Sequence, residues 1–365
     1  MSGEPLYGCR GCGLGPLVRV LDLGKMPAAD HFPSMTSVDT GSEATHPLAM
    51  DLCAMCGLAQ LAEDDTVTAE PRGVEPQALR DQAVDAVSRV AAGGWLPGGG
   101  TVREFGSPHG GSWLPLLTER DYVLTGGPAD VVIDCFGIMH EPHQRVAFAQ
   151  RAAATAPGGV LLLQFHSLHT IVRQGQWNAL RHGHFAYYSM AALQKLLRSA
   201  GMVAVTAWEF SLYGGSVLVA AVHAPAEADP WIARVCAQEA AVADPAVVRG
   251  LQQEADRQAG ALRRWVESES ASGRVVYAYG AASRAVALFH LAGLHRGLLA
   301  GVADASPGKQ GRRMPGTDIP IMSPAELLAA QPDRVLLTLP DLLPEVSERW
   351  PELEGRWVID VPETL

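Results

Sequence analysis

A chain of 365 residues exceeds what one ordinary core organises and points to two or three domains, and a 48% hydrophobic content is ample to fill them. A formal net charge of −11 excludes nucleic-acid binding driven by bulk charge, and no apolar run reaches bilayer-spanning length. Met1-Ser2-Gly3-Glu4-Pro5 has neither the basic nor the apolar segment of a secretory signal, so a soluble cytoplasmic protein is expected, with no membrane partner.

The first element is a pair of knuckles, Cys9-Arg10-Gly11-Cys12-Gly13 and Cys53-Ala54-Met55-Cys56-Gly57. A two-residue gap lets both thiolates reach one ion, and four thiolates close a tetrahedral site that is structural rather than catalytic. Cys9, Cys12, Cys53 and Cys56 are therefore expected to hold Zn2+ within a small module at residues 1–66. Two redox-active pairs are the alternative.

Residues 67–225 read as an α/β domain. A helical pattern at 77–92 is followed by a strand at 101–105, and that strand runs into a glycine-rich turn and a helix at 113–120. Such a turn aims backbone N–H groups and a helix start at a ligand. Its Glu104-x-Gly106-x-x-x-Gly110 spacing has the shape of the first motif of class I S-adenosylmethionine-dependent methyltransferases. Glu104, Gly106, Ser107 and Gly110, with Phe136 at the end of the next buried strand (129–136), are the expected cofactor contacts. A helix at 142–156, a strand at 160–165, a helix at 190–200 and an antiparallel pair at 203–207 and 216–223 complete the domain. Only a helix and one short strand fit between Gly106 and Asp130, so the sheet is expected to be shortened at that edge. No acidic residue is well placed there to hold a ribose; Glu119 and Asp121 are the nearest candidates.

Within this domain lies Leu180-Arg181-His182-Gly183-His184-Phe185-Ala186-Tyr187-Tyr188-Ser189. A histidine there suits a general base near neutral pH; a pair that merely satisfies buried hydrogen bonds is the plainer reading. His140, His166 and His169 sit in or near loops that would converge on the same face.

Residues 226–365 read as a helical connector at 252–270 followed by a smaller α/β Rossmann-like domain. Strands are expected at 274–279, 298–302, 335–339 and 357–360, and Arg284, Lys309, Arg312 and Arg313 lie near a strand–glycine–helix turn suited to a phosphorylated ligand. A packing domain with solvated cations is the alternative.

The order of parts resembles the sugar C-methyltransferase family that acts on nucleotide-linked deoxysugars in antibiotic biosynthesis. The resemblance runs over nearly the whole chain. It is most specific at the cysteine knuckles with Leu21-Asp22-Leu23-Gly24, at Tyr213-Gly214-Gly215-Ser216, and at Asp304 with Gly308, Gly311 and Pro315-Gly316. It implies a zinc-binding module, a central class I methyltransferase-like domain and a C-terminal α/β domain, with S-adenosylmethionine and structural zinc as cofactors. The histidine stretch is similar to the family's YHEHFSYFS, whose second histidine is taken as the base beside a ketone; His184 holds that place and His182 the first. Arg181 and Gly183 stand where the family has Tyr and Glu, and Pro108-His109 where it has Asn-Asp. Residues 66–89 contain no tyrosine, although the family has a tyrosine-rich segment there.

The expected function is methyl transfer to carbon of a nucleotide-linked sugar or related intermediate. His184 would abstract a proton, and Arg181 or His182 would stabilise the enolate. The alternatives are a non-methylating relative that holds a nucleotide-linked ligand or a partner, and an isomerase or lyase that reuses the base.

Overall fold

The structure is a computed structural model and describes residues 8–35, 43–66, 75–106 and 110–361. β1 (Leu17–Pro27), β2 (Thr45–Cys53) and β3 (Ala59–Leu61) form an antiparallel sheet. Two register shifts bend β1, and Arg19 ties it to β2 through Asp51 at 2.6 Å.

α1 (Gln77–Ala92) buries Gln82, Ala83, Ala86, Val87 and Val90, the stripe that a 3.6-residue repeat places on one face. The central sheet follows. Its strands are β4 (Gly100–Phe105), β5 (Tyr122–Leu124), β6 (Ala129–Cys135) and β7 (Thr155–His166), all parallel, with β9 (Met202–Phe210) and β10 (Ser216–His223) beyond β7. The order is β5-β4-β6-β7-β10-β9, with β10 antiparallel to both neighbours. Between Gly106 and Asp130 only α2 (Leu114–Thr118) and the three-residue β5 are found among the described residues, so the sheet ends early at that edge. β7 begins at Thr155, ahead of the expected 160. Gly159 permits this: a Cβ there would lie 2.9 Å from the carbonyl oxygens of Ala129 and Asp130.

Successive residues of the strands feed opposite cores. Val132, Leu161 and Leu163 pack toward α3 (Gln144–Ala154) and α5 (Met190–Ser199), whereas Val131, Ile133, Val160 and Leu162 pack toward α1 and α2. A sheet covered on both faces explains these apolar runs, and it places functional loops at the strand C-termini.

After α4 (Leu168–Arg173) the chain leaves this sheet. β8 (Ala186–Tyr187), inside the histidine stretch, pairs with β3 of the N-terminal sheet. One core therefore joins Leu21, Met50 and Leu52 to Trp177, Leu180 and Tyr187, and to Leu251 and Ala255 further on. Those last two belong to α8 (Gly250–Ala271), which follows the short helices α6 (Pro230–Gln238) and α7 (Pro245–Val248).

The third sheet is parallel, in the order β13-β12-β11-β14-β15: β11 (Val276–Tyr279), β12 (Val302–Ala303), β13 (Ile321–Met322), β14 (Arg334–Leu337) and β15 (Trp357–Val358). Helices α9 (Ser283–Leu291), α10 (Pro324–Ala329) and α11 (Leu343–Arg349) alternate with the strands. The strand expected over 298–302 contracts to Val302–Ala303, because Leu298 and Leu299 both donate to the His295 carbonyl in a helical turn. Among the described residues no helix is long and apolar enough to cross a membrane.

Candidate active site

The four knuckle cysteines meet. Their Sγ atoms all lie within 4.8 Å of one another, with Cys9 and Cys56 3.5 Å apart and Cys12 and Cys53 3.7 Å apart. Gly13 and Gly57 take left-handed φ values of 72° and 79° and close each knuckle by donating to the carbonyls of Cys9 and Cys53. The Gly11 N–H donates to Cys9 Sγ at 3.3 Å, which favours thiolate. The Cys56 sulfur draws the Cys9 thiol down to about 5 while Cys56 is driven up. Two thiolates so close ionise together only around a cation, and four sulfurs in this arrangement fit tetrahedral zinc.

The glycine turn after β4 forms a second feature. Glu104 accepts from Ser112 Oγ at 2.5 Å and from the Trp113 N–H at 2.7 Å, which fixes the entry to α2; burial raises its carboxyl. Gly110 and Gly111, both at φ 79°, line a cavity of about 20 Å³ together with Glu75, Glu104, Cys135 and Phe136. Gly106 has open space around its Cα, and Ser107 lies outside the described residues. β5 runs out into Thr125-Gly126-Gly127 with no carboxylate.

The histidine stretch forms a third. Gly183, at φ 76°, turns the chain so that the two imidazoles leave in different directions. His182 Nε2 bonds the Pro47 carbonyl at 3.1 Å and its ring lies 5.8 Å from His46, against the N-terminal sheet and away from His184. His184 faces the other way, with Nε2 2.5 Å from Arg181 Nη2 and its ring packed edge-on against His140 at 4.1 Å. Tyr187 Oη accepts from the Arg181 backbone N–H and donates to the Ala179 carbonyl, and Asp64 accepts from the Gly183 N–H at 2.7 Å. Ser189 caps α5 by accepting from Ala192, which ends the stretch.

Arg181 opens onto a cavity of about 250 Å³ between the central and C-terminal sheets. His166, whose ring stacks on Phe136 at 4.6 Å, contributes to its wall, so the loops after β6 and β7 do converge with the histidine stretch. His169 does not join them in the cavity wall. Burial first, then Arg181, holds His140 at about 3, and burial with Arg284 and Arg181 holds His166 at about 3, so both stay neutral. From the C-terminal domain come Ser283 and Arg284 at the start of α9, together with Ser306, Lys309 and Arg349. Lys309 Nζ donates to the Ala281 carbonyl at 2.9 Å and lies over Phe32. Arg312 and Arg313 turn aside, to the Phe32 carbonyl and to Glu43 respectively.

The cavity wall contains five cations (Arg80, Arg181, Arg284, Lys309 and Arg349) against three carboxylates. Two of these, Asp304 and Glu345, already accept from backbone N–H groups. The third, Glu75, borders both this cavity and the small one beside Glu104, and so do Leu79 and Phe136. Phe136 holds φ 61°, a strained value for an aromatic residue, at this boundary. Glu75 and Arg10 were not singled out from the sequence. The only sequence signal for either was a carboxylate just ahead of α1 and a cation between two metal ligands.

Two families match the chain: a zinc binding domain at residues 9–70 and a C-methyltransferase C-terminal domain at residues 211–362. The C-methyltransferase NovU of Streptomyces niveus is 27% identical over 413 residues, spanning 99% of this chain and 96% of that protein. Magnesium protoporphyrin IX methyltransferase of Synechocystis PCC 6803, solved with bound SAH, is 17% identical over 40% of this chain and 84% of its own, at a TM-score of 0.30. A SAM-dependent methyltransferase of Thermotoga maritima is 13% identical over 39% of this chain and 89% of its own, at a TM-score of 0.29. Likeness at these scores adds nothing to the topology already described.

Proposed function

We propose that the chain works as a member of the zinc-containing C-methyltransferase family, since a zinc binding domain matches residues 9–70 and a C-methyltransferase C-terminal domain matches residues 211–362, and its reaction is derived from that premise. The proposed acceptor is a nucleotide-linked sugar or a related natural-product intermediate, methylated at a carbon beside a carbonyl. The observation that carries this reading is the change of charge across Phe136. Glu104 borders only the small cavity on one side, Glu75 sits at the boundary and borders both, and the cation-rich cavity lies on the other side. A sulfonium donor suits the first, and a phosphorylated acceptor suits the second. S-adenosylmethionine supplies an electrophilic methyl group when bound, and its positive charge matches the carboxylates at the end of β4.

The remaining chemistry falls to side chains of this protein. A guanidinium only donates, so His184 Nε2 is the acceptor of the 2.5 Å contact with Arg181 and the ring carries its proton on Nδ1. When Arg181 turns to the carbonyl oxygen of an acceptor, Nε2 is released to take the proton from the adjacent carbon. The same guanidinium then stabilises the oxyanion, so the base is unmasked as its partner engages the substrate. His140 and His166, both neutral, add no repulsion to the imidazolium formed on His184. His182, bonded to Pro47, anchors the stretch and plays no part in the enolate step.

A second reading, a ligand-holding relative without methyl transfer, is favoured by the donor side. The cavity there measures about 20 Å³, and β5 ends without a carboxylate. Incubation with labelled S-adenosylmethionine and a panel of nucleotide-linked ketosugars separates the readings. Label on carbon with the parent protein and none with His184→Ala supports methyl transfer. Deuterium exchange into the sugar without label identifies an isomerase or lyase; neither signal identifies the ligand-holding relative.

A further inference from the structure

Arg10 stands between the two cysteines of the first knuckle and is only 9% exposed. Its backbone N–H donates to the buried Gln60 side chain at 2.8 Å, its Nε to the Leu61 carbonyl at 3.1 Å, and its Nη1 to the Pro142 carbonyl at 3.2 Å. The guanidinium lies 4.8 Å over the ring of Phe185, the residue that follows His184. The backbone of Phe185 is held on both sides as well: its N–H donates to Met139 at 2.8 Å, and its carbonyl accepts from Leu61 at 3.3 Å. Met139 immediately precedes His140, whose ring packs on His184. One side chain thus touches β3, the segment after His140 and the residue after His184, while its backbone is fixed by two metal-ligand positions.

We propose that Arg10 is a positioning residue that couples the four-cysteine site to the histidine stretch, so that metal in the knuckles fixes where His184 and His140 meet. A planar guanidinium with fixed donor directions suits this role, because it bonds two carbonyls and stacks on a ring at once. A lysine in its place supplies one charge centre and no plane. The four thiolates are thereby more than a folding device for the N-terminal sheet. The consequence for catalysis rests on His184 as the base; the coupling itself does not, and it is read without any acceptor.

The test uses the full zinc-loaded chain with Arg10→Met, Arg10→Lys and, as a control on the same sheet, Arg19→Met. Zinc content, hydrogen exchange across residues 181–188 and the imidazole NMR signals of His184 are measured for each. In Arg10→Met the expected result is zinc retained, exchange over 181–188 faster by about tenfold or more, and a shifted His184 signal that a residue of purely structural role would leave in place. Arg10→Lys restores part of the protection and Arg19→Met matches the parent. Stripping zinc from the parent protein with a chelator reproduces the Arg10→Met pattern over 181–188. Exchange and His184 signals in Arg10→Met equal to the parent would overturn the proposal. Loss of zinc from that variant would overturn it too, because Arg10 would then belong to the folding of the knuckle.

Discussion

Arg181 Nη2 lies 2.5 Å from His184 Nε2, and because arginine has no acceptor the imidazole must offer its lone pair. A fixed cation thus contacts the imidazole that the proposed reaction uses as its base. Arg181→Met should leave His184 exposed but strip the oxyanion of its partner, lowering kcat by roughly 10²–10³ with little change in acceptor KM. Arg181→Lys should recover only part of that. Steady-state kinetics with any accepted ketosugar checks it, and an unchanged kcat in Arg181→Met would remove the guanidinium from the mechanism.

Glu75 occupies the space over Gly111: a Cβ on that glycine would come within 2.2 Å of the Glu75 carboxylate. With Glu104 committed to Ser112 and Trp113, Glu75 is the carboxylate best placed to sense a cationic donor. Glu75→Gln should weaken S-adenosylmethionine more than its uncharged thioether product, by about three- to tenfold in the ratio of Kd values, since one charge pair near the surface is worth about 1 kcal/mol. Calorimetry on both ligands reads the ratio directly. A parallel loss for both would place Glu75 against a group that the two ligands share.

Buried neutral histidines make the fold acid-sensitive. His140 and His166 are held at about 3, far below the ordinary value of 6.5, so the unfolded chain binds protons that the folded chain does not. Their contribution is complete above pH 6.5 and is lost as pH falls toward 3, with a slope of at most about 1.4 kcal/mol per pH unit for each histidine. Urea unfolding from pH 7 to pH 4 should show this slope in the parent and a smaller one in His140→Gln/His166→Gln at equal zinc content. Identical slopes would mean that other groups govern the acid limb.

Removing one thiolate should be felt beyond the knuckles. Cys53→Ser opens the tetrahedral site, and because β2 and β3 share a core with Trp177, Leu180 and Tyr187, metal loss should loosen the histidine stretch together with the N-terminal sheet. A fall of several degrees in Tm and the release of zinc are expected; a Tm equal to the parent would show that the sheet holds without metal.

Much of this was legible in local pattern. The stripe Ala83, Ala86, Val87, Val90 marks α1, the runs at Val131–Ile133 and 160–165 mark strands buried on both faces, and the cysteine spacing marks the metal site. Even the truncated sheet edge could be read, because the distance from Gly106 to Asp130 leaves no room for two full strands. What sequence did not reveal is long-range. Nothing local tells that Ala186 and Tyr187 pair with β3, or that Gly183 at φ 76° sends His182 to Pro47 and His184 to Arg181. The two-residue spacing left open whether the histidines act together, and one left-handed glycine separates them. Arg10 and Glu75 were hidden for the same reason: each is defined by partners on other, distant elements of the chain.

The proposed methyl transfer requires a donor at the end of β4, where the cavity is narrow and β5 runs out without a carboxylate. The most direct measurement is a calorimetric titration of the zinc-loaded chain with S-adenosylmethionine and with its demethylated product. Micromolar binding of both, with the Glu75→Gln ratio shifted as above, is the predicted result. Binding of neither, in protein whose zinc content and unfolding transition are intact, would contradict methyl transfer and leave a ligand-holding relative or a donor-free enzyme.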